Sequence, residues 1–161
     1  MIIVDDHVGI INDVQARGNK IVFTNGCFDI LTRTHVDYLQ WCSYQGDRLV
    51  VALNDDDSVR ELKGEDRPFN RLVDRLCVLC ALSCVDYVMF FKTKRCNNTI
   101  SIVKPDIYVK GGDYSLDMLD KEEHDALKEV GTKIMFAPNP DPITTSDILS
   151  RIRNLNNANI S

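Results

Sequence analysis

Short, almost unbroken apolar runs recur along the chain, each followed by a stretch in which apolar residues return every three or four positions. The runs Lys20-Ile-Val-Phe-Thr24, Arg48-Leu-Val-Val-Ala-Leu53, Tyr87-Val-Met-Phe-Phe91, Asp106-Ile-Tyr-Val109 and Lys133-Ile-Met-Phe136 are rich in β-branched and aromatic side chains and predict five strands. The intervening stretches predict helices over Val8 to Arg17, closed by Gly18, and over Val36 to Gln45, closed by Gly46. A short helical turn is expected at Asp56 to Leu62, and further helices over Asn70 to Ser83, Asn98 to Val103, Glu122 to Val130 and Thr145 to Asn154.

Strands that are apolar throughout are buried on both faces, and helices of about ten residues between them imply parallel pairing with right-handed crossovers. The expected architecture is therefore a doubly wound, Rossmann-like α/β domain, a five-stranded parallel sheet with helices on both faces. It is read as one domain over residues 1–161, with a core over 18–153 and a polar, Asn-rich tail over 154–161 that frays. In such sheets ligands bind beyond the carboxyl ends of the strands, where the strand order reverses. Four polar loops follow strands, over residues 25–34, 54–70, 110–121 and 137–144.

Composition narrows the function classes. With 161 residues, 44% of them hydrophobic, the chain can bury one sizeable core without staples. A net charge of -5 and a pI near 5.1 argue against nucleic acid as a partner, and the one basic cluster, Lys92-Thr-Lys-Arg95, reads as a solvated loop. No apolar run approaches the ~20 residues that span a bilayer, and the N-terminus lacks a basic segment before Ile2. A cytoplasmic location with no membrane partner follows as the expectation. The six cysteines fit reduced thiols. Cys77, Cys80 and Cys84 have suggestive spacing, but they fall on a helical stripe with Leu72, Leu76 and Leu79 and lack a second ligand pair, so they read as small core residues. No metal held by protein side chains is expected.

No G-x-G-x-x-G follows the first predicted strand, and G-x-x-x-x-G-K-[ST] is absent. What remains is a set suited to holding phosphate: Gly26, a helix N-terminus near His35, Lys63-Gly64, Arg67, Lys110-Gly111-Gly112 and Thr144-Thr145 with Asp147 at a capping spacing. Helix N-termini offer unpaired N–H groups, glycines let backbone approach a ligand, and lysines add point charge.

In order along the chain these groups resemble a known family. The stretch "FTNGCFDILTRTHVDYL" is similar to the first motif of the HxGH nucleotidyltransferase superfamily, the cytidylyltransferase-like fold. "LVVALNDDDSVRELKGEDRPFN", "DRLCVLCALSCVDYV", "KPDIYVKGGDYS" and "ITTSDILSRIR" most resemble the heptose 1-phosphate adenylyltransferase domain of ADP-heptose synthase, over about residues 18–153. The resemblance implies transfer of a nucleoside monophosphate from a nucleoside triphosphate, ATP by expectation, to a phosphorylated sugar such as heptose 1-phosphate. Pyrophosphate leaves, Mg2+ arrives with the triphosphate, and a homodimer is the expected assembly. It also assigns residues: nucleotide binding to Thr24, Asn25, Gly26, Cys27, Phe28, Lys110, Gly111, Gly112, Asp113, Thr144, Thr145 and Ser146, acceptor binding to Asp29, Asn54 and Arg67, and catalysis to His35, Lys63 and Thr32.

The chain departs from that pattern at Thr32, where the family has its first histidine, at Thr34, where it has glycine, and at Ile143, where relatives often have serine. Thr32 retains one hydroxyl donor, and Arg33, with five donors, is read as a cation able to reach the same phosphates. Thr34 narrows the space against the helix start. Two other readings stand beside the sugar-phosphate enzyme: a catalytically weak or inactive relative that binds nucleotide or sugar phosphate, and an enzyme like glycerol 3-phosphate cytidylyltransferase. His7 and His124 lie outside the motifs and are assigned no role.

Overall fold

The computed structural model describes residues 2–4, 8–112, 114–138 and 145–158. Its strands are β1 (Ile2–Val4), β2 (Ile21–Gly26), β3 (Arg48–Asn54), β4 (Tyr87–Phe91), β5 (Ile107–Lys110) and β6 (Lys133–Phe136). All pair in parallel, in the order β1-β4-β3-β2-β5-β6. The five expected strands are present, and the short Ile-Ile-Val run of β1 extends the sheet edge by pairing Ile3 with Val88. Three residues are too few to show a period, which is why this strand is not predicted.

The helices are α1 (Val8–Ala16), α2 (Arg33–Ser43), α3 (Asp56–Lys63), α4 (Leu72–Cys80), α5 (Asn97–Val103), α6 (Lys121–Glu129) and α7 (Thr145–Ala158). A 3₁₀ turn, Leu116–Met118, lies between β5 and α6. Alternation along the strands splits the core into two layers. Ile21, Phe23, Val50, Ala52 and Tyr108 face a cluster that includes Ile11 of α1, Ile100 of α5 and Leu127 of α6. Val22, Leu49, Val51, Leu53 and Val109 face Leu39 of α2 and Leu76 and Leu79 of α4. Helices on both faces of a parallel sheet are the predicted fold class.

Several boundaries differ from expectation. Helix α2 starts at Arg33, three residues early, because extended Thr32 accepts the Val36 N–H at 3.2 Å and so begins the helix ahead of His35. The turn at Asp56 is a full helix: Asp55 caps it by accepting the Ser58 N–H at 2.8 Å, and it ends on Gly64 at φ 103, a conformation that favours glycine. Helix α7 runs to Ala158, so the tail expected to fray from Asn154 is helical that far. On α4 Arg75, Leu76 and Leu79 are buried, and Leu72, Cys80 and Cys84 pack against the same core cluster, so of the expected stripe only Cys77 is exposed. All six cysteines are free, and among the described residues no group of His, Cys, Asp or Glu could hold a metal ion. In the basic loop, Lys94 pairs with Glu61 at 3.5 Å and Arg95 with Asp120 at 2.8 Å, both partly exposed. No described helix is long and apolar enough to cross a membrane.

Because all the strands run one way, the ends of β2, β3 and β5 open on the same edge. β2 is flanked by β3 on one side and β5 on the other, which puts the reversal of strand order between β2 and β5.

Candidate active site

The loop from β2 to α2 carries one strained residue. Phe28 sits at φ 43, a left-handed conformation that costs a bulky residue on the order of 1–3 kcal/mol. The bend turns its ring back on the strand end, where a Cβ on Gly26 would meet Phe28 Cε2 at 3.1 Å. The Phe28 ring also meets His35 edge-on, with centroids 5.6 Å apart.

His35 occupies the first turn of α2, and its ring is oriented from behind. The Thr32 backbone N–H donates to His35 Nδ1 at 3.1 Å, and Thr32 Oγ1 lies 2.9 Å from the same nitrogen. An amide N–H can only donate, so Nδ1 is the acceptor and the ring proton sits on Nε2. The Thr32 hydroxyl then donates to Nδ1 as well. Burial lowers the His35 pKa from its ordinary value, which keeps the ring neutral. The result is a neutral imidazole whose Nε2–H is held ready to donate. The Thr32 hydroxyl, expected to donate to phosphate, lies against His35 Nδ1 in this structure. Arg33, expected to reach toward the loop, has a side chain 93% exposed and pairs with Asp37 one turn along α2 at 3.2 Å. Thr34 is the second residue of α2 and partly exposed.

Three groups assigned to ligand turn inward. Thr24 is fully buried, with its hydroxyl 2.7 Å from the Tyr38 hydroxyl. Asn54 is 3% exposed; its amide donates to Ser58 Oγ at 3.3 Å and to the Thr93 carbonyl at 3.2 Å. Asp29 brackets two loops, accepting from Arg67 Nη1 at 2.8 Å and from the N–H groups of Phe69 and Asn70 at 2.8 and 2.9 Å. Asn70 Nδ2 also donates to the Asp29 carbonyl. Arg67 is thereby committed to Asp29 and stacks 4.3 Å over the Phe69 ring. Such polar groups at strand ends suit a ligand and a loop bracket equally in sequence, and here they bracket.

Burial works against the Asp29 carboxylate, but the hydrogen bonds from Asn70, Arg67 and Phe69 outweigh it and hold its pKa below the ordinary 3.8. A depressed carboxylate stabilises the fold above its unfolded pKa, and the contribution is lost as pH falls through the lower folded value. Asp29→Asn is therefore expected to cost about 1–3 kcal/mol at neutral pH. In thermal melts, its deficit against wild type should shrink below about pH 4. A deficit independent of pH would show that the carboxylate charge is not what holds the loops.

Arg75 was not anticipated. Its side chain is 1% exposed, yet it donates to the carbonyls of Cys27 at 2.7 Å, Asn54 at 2.8 Å and Asn70 at 3.1 Å, and to Asp56 Oδ1 at 2.8 Å. One guanidinium thus ties the loops after β2 and β3 to the starts of α3 and α4. Charge converges nearby: burial raises the Cys27 pKa, with Lys63, Arg75 and Lys110 pulling against it and Asp29 adding to it. Cys27 stays a thiol, and exposed Lys63, at the end of α3, is among the cations whose charge acts on it.

On the other side of the strand reversal, Phe23 pairs with Tyr108, and two residues further Asn25 faces Lys110. Asn25 Oδ1 accepts from Lys110 Nζ at 2.9 Å and from the Tyr108 hydroxyl at 2.8 Å. Burial, then Cys96 and Glu123 nearby, holds the Tyr108 pKa well above its ordinary value, so the phenol stays protonated and donates. Lys110 Nζ lies 5.4 Å from the Tyr108 ring centroid and 5.5 Å from that of Tyr114, within cation–π range. Gly111 and Gly112 continue the chain past it in a turn. Asp113 and Thr144 lie outside the described residues, as do the side chains of Thr145 and Ser146 at the start of α7.

Three comparisons bear on this arrangement. A model of the family described as "Cytidylyltransferase-like" matches residues 23–151. The bifunctional protein HldE of Alcanivorax borkumensis is 47% identical over 143 residues, and that of Pseudomonas fluorescens 45% over 144, each covering 89% of this chain. The chain spans 30% of the length of each. Among solved structures, the lipopolysaccharide core biosynthesis protein from Thermoplasma volcanium matches with a TM-score of 0.65 at 30% identity, over 77% of this chain and all of that one. A pantoate-beta-alanine ligase from Francisella tularensis shares the fold, with a TM-score of 0.58 at 16% identity over 89% of this chain and 69% of its own. The motifs, the sheet order and the family match over residues 23–151 agree that this chain belongs to the cytidylyltransferase-like family of nucleotidyltransferases.

Proposed function

We propose that the chain transfers AMP from ATP to the phosphate of a sugar phosphate, with heptose 1-phosphate as the acceptor, and releases pyrophosphate. The observation that carries this reading is the donor set at the strand reversal: the oriented Nε2–H of His35, the backbone at Gly26, and Lys110 beside Asn25, with the charge of Lys63 also felt at Cys27. The sugar acceptor is supported by the 47% identity to the HldE protein and by the lipopolysaccharide core biosynthesis protein among the structural relatives.

In the proposed reaction a phosphate oxygen of the acceptor attacks the α-phosphorus of ATP, and the bond to the bridging oxygen of pyrophosphate breaks. No proton need move, so the protein's task is to align the two phosphates and stabilise the charge that builds on the α-phosphoryl oxygens. His35 donates from Nε2 to that charge, Lys63 and Lys110 offset it, and the glycine-bearing loop lets backbone approach. The site's groups are donors and cations, and Asp29 is consumed by Arg67 and two amides, so Mg2+ would be held by the triphosphate rather than by carboxylates. Bound there, it supplies charge neutralisation between the phosphates.

A second reading, a nucleotide-binding relative with little turnover, is favoured by one observation: the Thr32 hydroxyl is engaged with His35, and Arg33 faces solvent, so neither takes the place of a second imidazole. Pyrophosphate release separates the readings, measured with each ribonucleoside triphosphate against heptose 1-phosphate and glycerol 3-phosphate. ATP with heptose 1-phosphate is expected to be fastest, and Thr32→His/Thr34→Gly faster still. Binding of ATP by calorimetry without release in the wild type would favour the binding relative. Fastest release with CTP and glycerol 3-phosphate would replace both donor and acceptor in the proposal, and no binding of any triphosphate would reject both readings.

A further inference from the structure

Helix α6 buries its inward face through Glu123, Ala126 and Leu127, and the first of these is a carboxylate in a hydrophobic layer. Its side chain is 6% exposed. Acidic side chains are buried this far only when paired, and each oxygen of Glu123 has its own set of partners. Oε1 accepts from the Cys96 backbone N–H at 3.2 Å and from Cys96 Sγ at 3.3 Å. Oε2 lies 3.3 Å from the Tyr108 hydroxyl and 3.6 Å from Lys110 Nζ. The Tyr108 proton is shared between Glu123 and Asn25, so one network runs from α6 through β5 to the end of β2.

Lys110 is the group in this network that opens on the site. An ammonium has three N–H donors; Asn25 takes one at 2.9 Å, and Glu123 Oε2 pairs with the charge at 3.6 Å. A lysine on a four-carbon stem has many rotamers, and ordering it costs entropy that a ligand would otherwise have to offset. With the ammonium near the rings of Tyr108 and Tyr114 and between Asn25 and Glu123, much of that ordering is in place before any ligand arrives. We propose that Glu123 is a positioning residue for triphosphate binding: from behind the sheet it fixes Lys110 at the end of β5 with donors left for the nucleotide phosphates. The inference rests on the reading of Lys110 as a phosphate-binding group. Two opposed effects of Glu123 are separable. Its negative charge would weaken anion binding, whereas its hold on the lysine strengthens it. The carboxylate is neutralised by the lysine it touches, so the hold dominates.

Calorimetric titration of Mg·ATP tests this with four proteins: wild type, Glu123→Gln, Lys110→Met and the double variant. Glu123→Gln keeps the shape and removes the charge, and is expected to weaken ATP about tenfold, as for groups that orient a ligand-binding side chain. Lys110→Met should weaken ATP further, and adding Glu123→Gln to it should cost no further affinity, because Glu123 supports the nucleotide only through the lysine. Unchanged or tighter binding by Glu123→Gln, or additive losses in the double variant, would overturn the proposal while leaving the nucleotide reading intact. Failure of the wild type to bind ATP or any other triphosphate would overturn both. If Glu123→Gln alone melts too low to titrate, the Lys110→Met pair decides. Lys110→Met leaves Glu123 without its cation and the double variant removes both charges, so a further loss of more than about threefold on going from the single to the double variant counts against the proposal.

Discussion

Replacing Arg75 with methionine is expected to lower the stability of the protein by about 3–5 kcal/mol, the cost of removing one partner from a buried ionic cluster. Methionine fills a similar length of apolar space, so the loss reports the guanidinium rather than a cavity. Four acceptors would be stranded: the carbonyls of Cys27, Asn54 and Asn70, and the carboxylate of Asp56. They come from three stretches of chain, around residues 27, 54–56 and 70, so their desolvation would not be offset locally. For a chain of this length 1 kcal/mol corresponds to about 2–4 °C in melting temperature, so a drop of roughly 10 °C is the expected reading. Arg75→Lys should recover little of it. An ammonium directs three donors from one point, whereas the observed bonds leave Nε, Nη1 and Nη2 in a planar fork toward acceptors on different segments. A loss below about 1 kcal/mol for Arg75→Met would mean that the loops hold their positions without it.

Arg75 and Glu123 also mark where the sequence stops being legible. The strands were readable because an apolar, β-branched run buried on both faces has few alternatives, and Tyr87–Phe91 and Lys133–Phe136 begin and end where the pattern puts them. The family was readable because the quoted motifs keep their order along the chain, and the match over residues 23–151 bears that out. What the pattern does not encode is where a polar side chain at a strand end turns. Asn54 and Thr24 point inward because Ser58, Thr93 and Tyr38 supply partners, and those partners are set by the packing of other elements. A signal for the two buried charges was present. Leu72, Leu76 and Leu79 place Arg75 on the inward face of α4, and Ala126 and Leu127 do the same for Glu123 on α6. A charge on an apolar stripe must find a partner, but the partners of Glu123 lie 13 to 27 residues away on β5 and at the start of α5. No local period reaches that far.

His35→Ala is expected to reduce turnover by about 10²–10³, the usual loss when one donor aimed at developing charge is removed. Stability should change little, because the ring's hydrogen bonds and aromatic contact among the described residues are to Thr32 and Phe28 within its own loop. The size of the effect follows from the geometry. A charged imidazolium would attract the triphosphate in its ground state as well as in the transition state. A neutral ring with a fixed Nε2–H acts mainly by direction, so its loss falls more on kcat than on KM. His35→Gln, whose terminal amide places a donor near the position of Nε2, should retain part of the rate. The same reasoning fixes what Thr32 does. If its hydroxyl replaced the first family histidine at the phosphate, Thr32→Val would cost as much as His35→Ala. Because the hydroxyl lies 2.9 Å from Nδ1 and the backbone N–H of residue 32 sets the tautomer with or without it, the expected loss is only a few-fold, and none in a His35→Ala background. Steady-state pyrophosphate release from the two single variants and the double variant decides the point. A full 10² loss from Thr32→Val alone would return Thr32 to the phosphate and leave His35 positioned by its backbone contact only.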